Sequence, residues 1–136
     1  MGQRLEHDWF SQPLPENVVL GEVTWLYSTY AFLHYQSRMP TGVAVGHDTG
    51  LYNGTFFDLG PSGTVQIGDF CSLVGAIICT NSRVAIGDYT EILGGALIGE
   101  VAVIGAVTFV RCDVPPFAIY AGEPGRIVGD ARHARG

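Results

Sequence analysis

An aliphatic or aromatic residue returns at intervals of mostly six positions: Val45, Leu51 and Phe57, then Ile67, Leu73 and Cys79, then Ile86, Ile92, Ile98, Ile104 and Val110. The register slips at Gly60-Pro61-Ser62-Gly63 and near Asn81-Ser82-Arg83. Four of these positions open one phrase, in Ile67-Gly68-Asp69, Ile86-Gly87-Asp88, Ile98-Gly99-Glu100 and Ile104-Gly105-Ala106. A period of six fits neither the 3.6 of a helix nor the two-residue alternation of a flat strand; it fits a short strand plus a turn, stacked on like neighbours. No single rung can bury its apolar side alone, so the aliphatic positions must stack inward as columns. The glycine after each of them predicts a tight corner where a Cβ is costly. The pattern predicts an all-β parallel β-helix in one domain, with regular rungs over 43–112.

The flanks are organised differently. Residues 1–42 crowd Trp9, Phe10, Trp25, Tyr27, Tyr30, Phe32 and Tyr35 and predict a cap over the open end of the coil, with Leu20-Gly21-Glu22 as an irregular first rung. The segment 113–136 closes the other end: Pro115 and Pro116 stop the rung pattern, and a short polar tail follows. Glycine is 19 of 136 residues and charged residues only 15%, against average shares of roughly 7% and 25%. So little charge on a narrow prism predicts faces covered by sister subunits.

A net charge of −6 with no basic stripe argues against nucleic acid as a partner, because phosphate binding depends on counterion release by clustered cations. No uninterrupted apolar stretch approaches membrane-spanning length, and the N-terminus has no signal-peptide core. Cys71, Cys79 and Cys112 form no CxxC pair, and an odd count fits a reduced, cytoplasmic compartment. Cys79 takes an inward column position; Cys71 and Cys112 lie off it, with no neighbouring base to make either a nucleophile. A zinc site needs three converging histidines, and the rungs after His47 hold none, so no metal is expected.

The closing run from Asp113-Val114-Pro115-Pro116-Phe117 through Ala121-Gly122-Glu123-Pro124-Gly125-Arg126-Ile127-Val128, preceded by isoleucine-glycine rungs, resembles the terminal signature of the hexapeptide-repeat acyltransferases. The resemblance covers roughly residues 43 to 129. It implies a left-handed β-helix, a homotrimer, and transfer of an acyl group, usually acetyl, from coenzyme A to a small-molecule or sugar acceptor. It further implies a donor groove between subunits in which Gly95, Ala96, Gly105 and Ala106 let the pantetheine arm approach the backbone, Thr108 adds a hydroxyl, and Arg126 faces the phosphates. Glu123 stands where the family usually carries asparagine.

Acyl transfer needs a general base. The family's histidine follows an isoleucine-glycine-aspartate rung, where this chain runs Tyr89-Thr90-Glu91 straight into Ile92-Leu93-Gly94-Gly95. The candidate bases are therefore His34, beside the cap aromatics, and His47, at an outward corner; His7 and His133 lie at the edges of the chain. Asn53, Phe56 and Asp58, in an unusually polar and aromatic rung, are candidates to hold the acceptor, or else to satisfy backbone groups at corners. A second reading is a catalytically silent β-helix trimer that keeps the scaffold.

Overall fold

The computed structural model describes residues 4–122 and 125–132. Its strands are two to five residues long and stack into three sheets. Val18–Leu20, Val43–Val45, Thr64–Ile67, Arg83–Ile86, Val103–Ile104 and Ala118–Ala121 form one face, in parallel and in chain order. Trp25–Leu26, Gly50–Tyr52, Ser72–Val74, Glu91–Ile92 and Phe109–Val110 form the second. Phe56–Leu59, Ile77–Thr80 and Leu97–Ile98 form the third. Each strand thus pairs with the strand one full turn away, which makes the molecule a three-faced parallel β-helix. Among the described residues the sole helical element is a 3-10 turn at Thr29–Phe32.

The inward column is Val45, Leu51, Phe57, Ile67, Leu73, Ile78, Ile86, Ile92, Ile98, Ile104 and Val110, each at most 4% exposed. At roughly 1.5–3 kcal/mol per fully buried aliphatic side chain, this column is the main source of stability. One member differs from expectation: Ile78 points inward and Cys79 is exposed. Gly75 turns the corner with φ +76°, one residue earlier than its equivalents, so the step from Leu73 to the next inward residue is five. Cys71 is the buried thiol, 3% exposed with its Sγ 3.2 Å from the Gly87 carbonyl.

Two positions before eight of the column residues a second, smaller side chain also faces inward: Thr49, Thr55, Cys71, Ala76, Thr90, Ala96, Ala102 and Thr108 are all buried. The threonine hydroxyls are satisfied across turns, Thr49 donating to the Gly68 carbonyl (2.9 Å), Thr55 to Leu73 (3.0 Å) and Thr90 to Gly105 (3.1 Å). A hydroxyl is tolerated there because it replaces the water that a corner carbonyl loses.

At the glycines of the repeated phrase a Cβ is costly, as expected, but for want of space and not because of φ. Gly46, Gly68 and Gly87 do not have positive φ. A Cβ on Gly46 would collide with the Asp69 carboxylate and lie 2.7 Å from the Gly68 backbone; one on Gly87 would lie 2.6 Å from the Ala106 nitrogen. At Gly46 and Gly68 glycine lets the carboxylate of the next turn reach under the chain, and at Gly87 it lets the Ala106 backbone approach. Asp69 Oδ1 accepts the His47 N–H at 2.9 Å and Asp88 Oδ1 accepts the Asp69 N–H at 2.8 Å. The left-handed residues come two places later, at Phe70, Tyr89, Val101 and Val107, with φ between +55° and +61°.

Turn length falls along the molecule. Register partners are 25 residues apart from Val18 to Val43, 22 from Val43 to Val65, 19 from Val65 to Val84 and 18 from Ala85 to Val103. The aromatic cap lies at the wide end, where Phe32 stacks on Phe57 at 5.1 Å and Tyr35 donates to Asn17. Its keystone is Asp8. The Asp8 carboxylate accepts from the Ser28 hydroxyl, from the backbone and hydroxyl of Thr29, and from the Phe10 N–H. Burial alone would raise its pKa, but these four donors hold it down at about 2.

Candidate active site

The first face ends, turn after turn, in a corner whose backbone is one continuous ladder. Gly46 N–H donates to Ile67, Gly68 to Ile86, Gly87 to Ile104 and Gly105 to Tyr120, all at 2.8–2.9 Å. This stacks His47, Asp69, Asp88 and Ala106 above one another. Ala121 stacks on Gly105 in the next turn and pairs with Arg126 of the antiparallel strand Arg126–Asp130. An open groove of about 660 Å³ runs along this corner, lined among others by Gly46, Asp69, Asp88, Gly105 and Ala106. Of the residues singled out in the sequence, His47, Gly105, Ala106 and Arg126 therefore share one edge of the prism. Counting strand spacings of roughly 4.8 Å, the edge spans about 24 Å from His47 to Arg126.

His47 is the focus of this edge. Its Nδ1 lies 2.8 Å from Asp48 Oδ2 and its Nε2 lies 3.2 Å from Asp69 Oδ2. The imidazole is 48% exposed, so it is reachable from the groove while its orientation is fixed on two sides. The Asp48 hydrogen bond raises its pKa above the ordinary imidazole value; partial desolvation opposes this, and Asp69 and Asp88 reinforce it. With a carboxylate on each nitrogen the ring is stabilised as the imidazolium, and Nε2 takes a proton from a ligand only when that ligand displaces Asp69 from it. Such a group can remove a proton from a nucleophile and return it to a leaving group.

The other candidates fall elsewhere. His34 is exposed, and its ring lies 5.5 Å from Phe56 with no hydrogen bond among the described residues. Phe56 belongs to the third face. Asp58, on the same face, lines a second, mainly apolar groove of about 490 Å³ with Cys79, Leu97, Asp113 and Pro115. Asn53 and Gly95 sit at the glycine corner between the second and third faces, with Gly54, Gly75 and Gly95 stacked at φ between +72° and +90°. Ala96 and Thr108 face the interior, 3% and 2% exposed, and the Thr108 hydroxyl donates to the Gly105 carbonyl at 2.8 Å. The candidate residues thus form two groups on different edges, His47 with Gly105, Ala106 and Arg126, and His34 with Phe56, Asp58, Asn53 and Gly95. His7 stacks on Trp25 at 4.2 Å and contacts the Leu26 carbonyl, as a cap residue does. Glu123, Pro124 and His133 lie outside the described residues.

Sequence reasoning missed Asp48 and Asp69 as the partners of His47. Asp48 was adjacent in sequence and could have been found; Asp69 meets the ring only through the turn of 22 residues. The exposed thiol of Cys79 is pushed up by partial burial and by Asp58, which keeps it protonated and unreactive.

No family model matches the chain. A serine acetyltransferase of Mycobacterium tuberculosis is 38% identical over 92 residues, 68% of this chain and 36% of that protein. A serine acetyltransferase of Synechococcus elongatus is 29% identical over 126 residues, 76% of this chain and 52% of that protein. Among solved structures, a Neisseria gonorrhoeae serine acetyltransferase superposes with a TM-score of 0.48 at 24% identity, covering 88% of this chain and 40% of that one. The chain spans about a third to a half of the length of the two curated relatives.

Proposed function

Because this chain belongs to the hexapeptide-repeat acyltransferase family, we propose that it transfers an acetyl group from acetyl coenzyme A to a hydroxyl or amine, with His47 as general base. The observation that carries the reading is the imidazole fixed between Asp48 and Asp69, beside the groove that Gly46 and Asp69 line. The acceptor's hydroxyl or amine displaces the Asp69 carboxylate from His47 Nε2, and its proton passes to that nitrogen as its oxygen or nitrogen attacks the thioester carbonyl carbon. The carbon–sulfur bond breaks, and the departing sulfur takes the proton back from His47. Asp48 holds the tautomer, and Asp69 stabilises the imidazolium formed between the two transfers.

The donor fits the rest of the edge. Gly87, Gly105 and Ala106 present backbone with almost no side chain to the groove, which admits a narrow pantetheine arm. Arg126, at the end away from the aspartates, supplies the cation for its phosphates. His34 is disfavoured as base because no second group fixes its ring.

The active unit in this reading is a homotrimer. Tyr52, Val74, Ile77 and Leu97 are 37–42% exposed on either side of the glycine corner, and a neighbouring subunit covers them. Among the described residues no helix is long and apolar enough to cross a membrane, and three free cysteines fit a cytoplasmic location.

Calorimetric titration with acetyl-CoA and a thiol-release assay test the reading. Saturable binding near one site per subunit is expected, and His47→Ala should retain binding while turnover falls by about 10²–10⁴-fold. Full turnover by His47→Ala removes the base from this site. A folded oligomer that ignores acetyl-CoA moves the chain to the silent-scaffold reading.

A further inference from the structure

The corner that carries His47 also carries a second row. Asp48, Phe70, Tyr89 and Val107 follow one another there with φ between +53° and +57°. The coil imposes this backbone at every turn, and glycine accepts it at no steric cost. The glycine corner takes that option with Gly54, Gly75 and Gly95. Here the chain places two aromatic residues instead. Phe70 and Tyr89 stack at 5.0 Å with planes 9° apart, and Phe70 meets the His47 ring edge-on at 5.1 Å. They are 46% and 59% exposed, so the core does not use them. Each directly follows a groove-lining aspartate, Asp69 or Asp88. The two rings therefore form an exposed apolar wall beside the groove, which begins against the His47 ring and runs along the corner next to Asp69 and Asp88.

We propose that Phe70 and Tyr89 determine acceptor choice, favouring a hydroxyl or amine carried on a ring or hydrocarbon body over a small polar acceptor such as serine. The inference rests on His47 as the base of this groove. An acceptor with an apolar body buries it against the two rings while its nucleophile reaches Nε2. Serine has too little apolar surface to gain from the wall, and it must still give up its hydration. The wall therefore sets a specificity different from the one named for the serine acetyltransferase relatives, without altering the chemical step.

The test compares 2-phenylethanol with L-serine as acceptors, at saturating acetyl-CoA, for the wild type and for the Phe70→Gly/Tyr89→Gly double variant. Glycine suits the left-handed backbone at both positions, so the variant keeps the coil, which circular dichroism checks. The wild type should show a kcat/KM ratio favouring 2-phenylethanol by at least about 10-fold. The double variant should lose most of that ratio while its acetyl-CoA affinity stays the same. A wild type that prefers serine, or a ratio untouched in the double variant, overturns the inference and leaves acetyl transfer standing. If neither alcohol is turned over, the function reading fails, and the wall is judged by saturation-transfer NMR with 2-phenylethanol. Signal in the wild type and its loss in the double variant uphold the wall; equal signals overturn it.

Discussion

His47 is held by two carboxylates from different turns, and its behaviour with pH follows from that. A base must be neutral to accept a proton, so kcat/KM should rise with pH along a limb displaced above the ordinary imidazole value, in the direction set by Asp48. Asp48→Asn should move that limb to lower pH and reduce turnover by about 10-fold or more, which a pH–rate profile checks. The same raised affinity links to stability: it contributes below the unfolded-state imidazole pKa and is lost as pH rises through the raised folded-state value. Little of this was legible in the chain. His47 stood out by elimination, but its pairing with Asp69 depends on a turn of 22 residues where the hexads alone imply 18. Asp69 and Asp88, which the sequence treats as repeat punctuation, turn out to satisfy backbone or imidazole across turns.

At the scale of elements, two corner types do different work. The glycine corner needs its φ: Gly75→Ala puts a Cβ at φ +76° and 3.3 Å from the Gly95 nitrogen, and should cost about 1–2 kcal/mol in urea denaturation. At the aromatic corner the backbone is equally left-handed but a side chain is already tolerated, so Phe70→Gly should change stability by no more than about 1 kcal/mol, the lost stacking offsetting the relieved backbone. The cap obeys a different logic. Asp8→Ala removes an acceptor that serves Ser28, Thr29 and Phe10, and should destabilise by about 2 kcal/mol on the scale of hydrogen bonds to charged groups. In the wild type the stabilisation from Asp8 is present above the unfolded carboxylate pKa and fades as pH falls toward about 2. The column from Val45 to Val110 was readable because its period is coarse and its residues are nearly all aliphatic. The slip to Ile78 was not, because Ile77, Ile78 and Cys79 are interchangeable to a hydrophobicity pattern and only the early turn at Gly75 decides among them.

For the molecule as a whole, the exposed apolar residues flanking the glycine corner predict a particle of three times the 14.6 kDa chain mass by light scattering, and Leu97→Glu should shift that mass toward the single chain. The candidate residues on the second edge, His34, Phe56, Asp58, Asn53 and Gly95, acquire a role in such a particle if one subunit's glycine corner faces another's His47 edge. A single chain cannot announce that arrangement, because its repeat is the same on every face. What the chain does announce is where its parallel stacking is interrupted. Arg126–Asp130 is the antiparallel partner in a sheet otherwise parallel throughout its described strands, and it carries an irregularity next to Ile119. A stack of identical turns ends in a row of amides and carbonyls ready to template another molecule, end to end, without limit. By folding back and running the opposite way, Arg126–Asp130 occupies the edge of Ala118–Ala121 with a reversed direction and a broken spacing, so a second copy cannot continue the parallel stack on that strand.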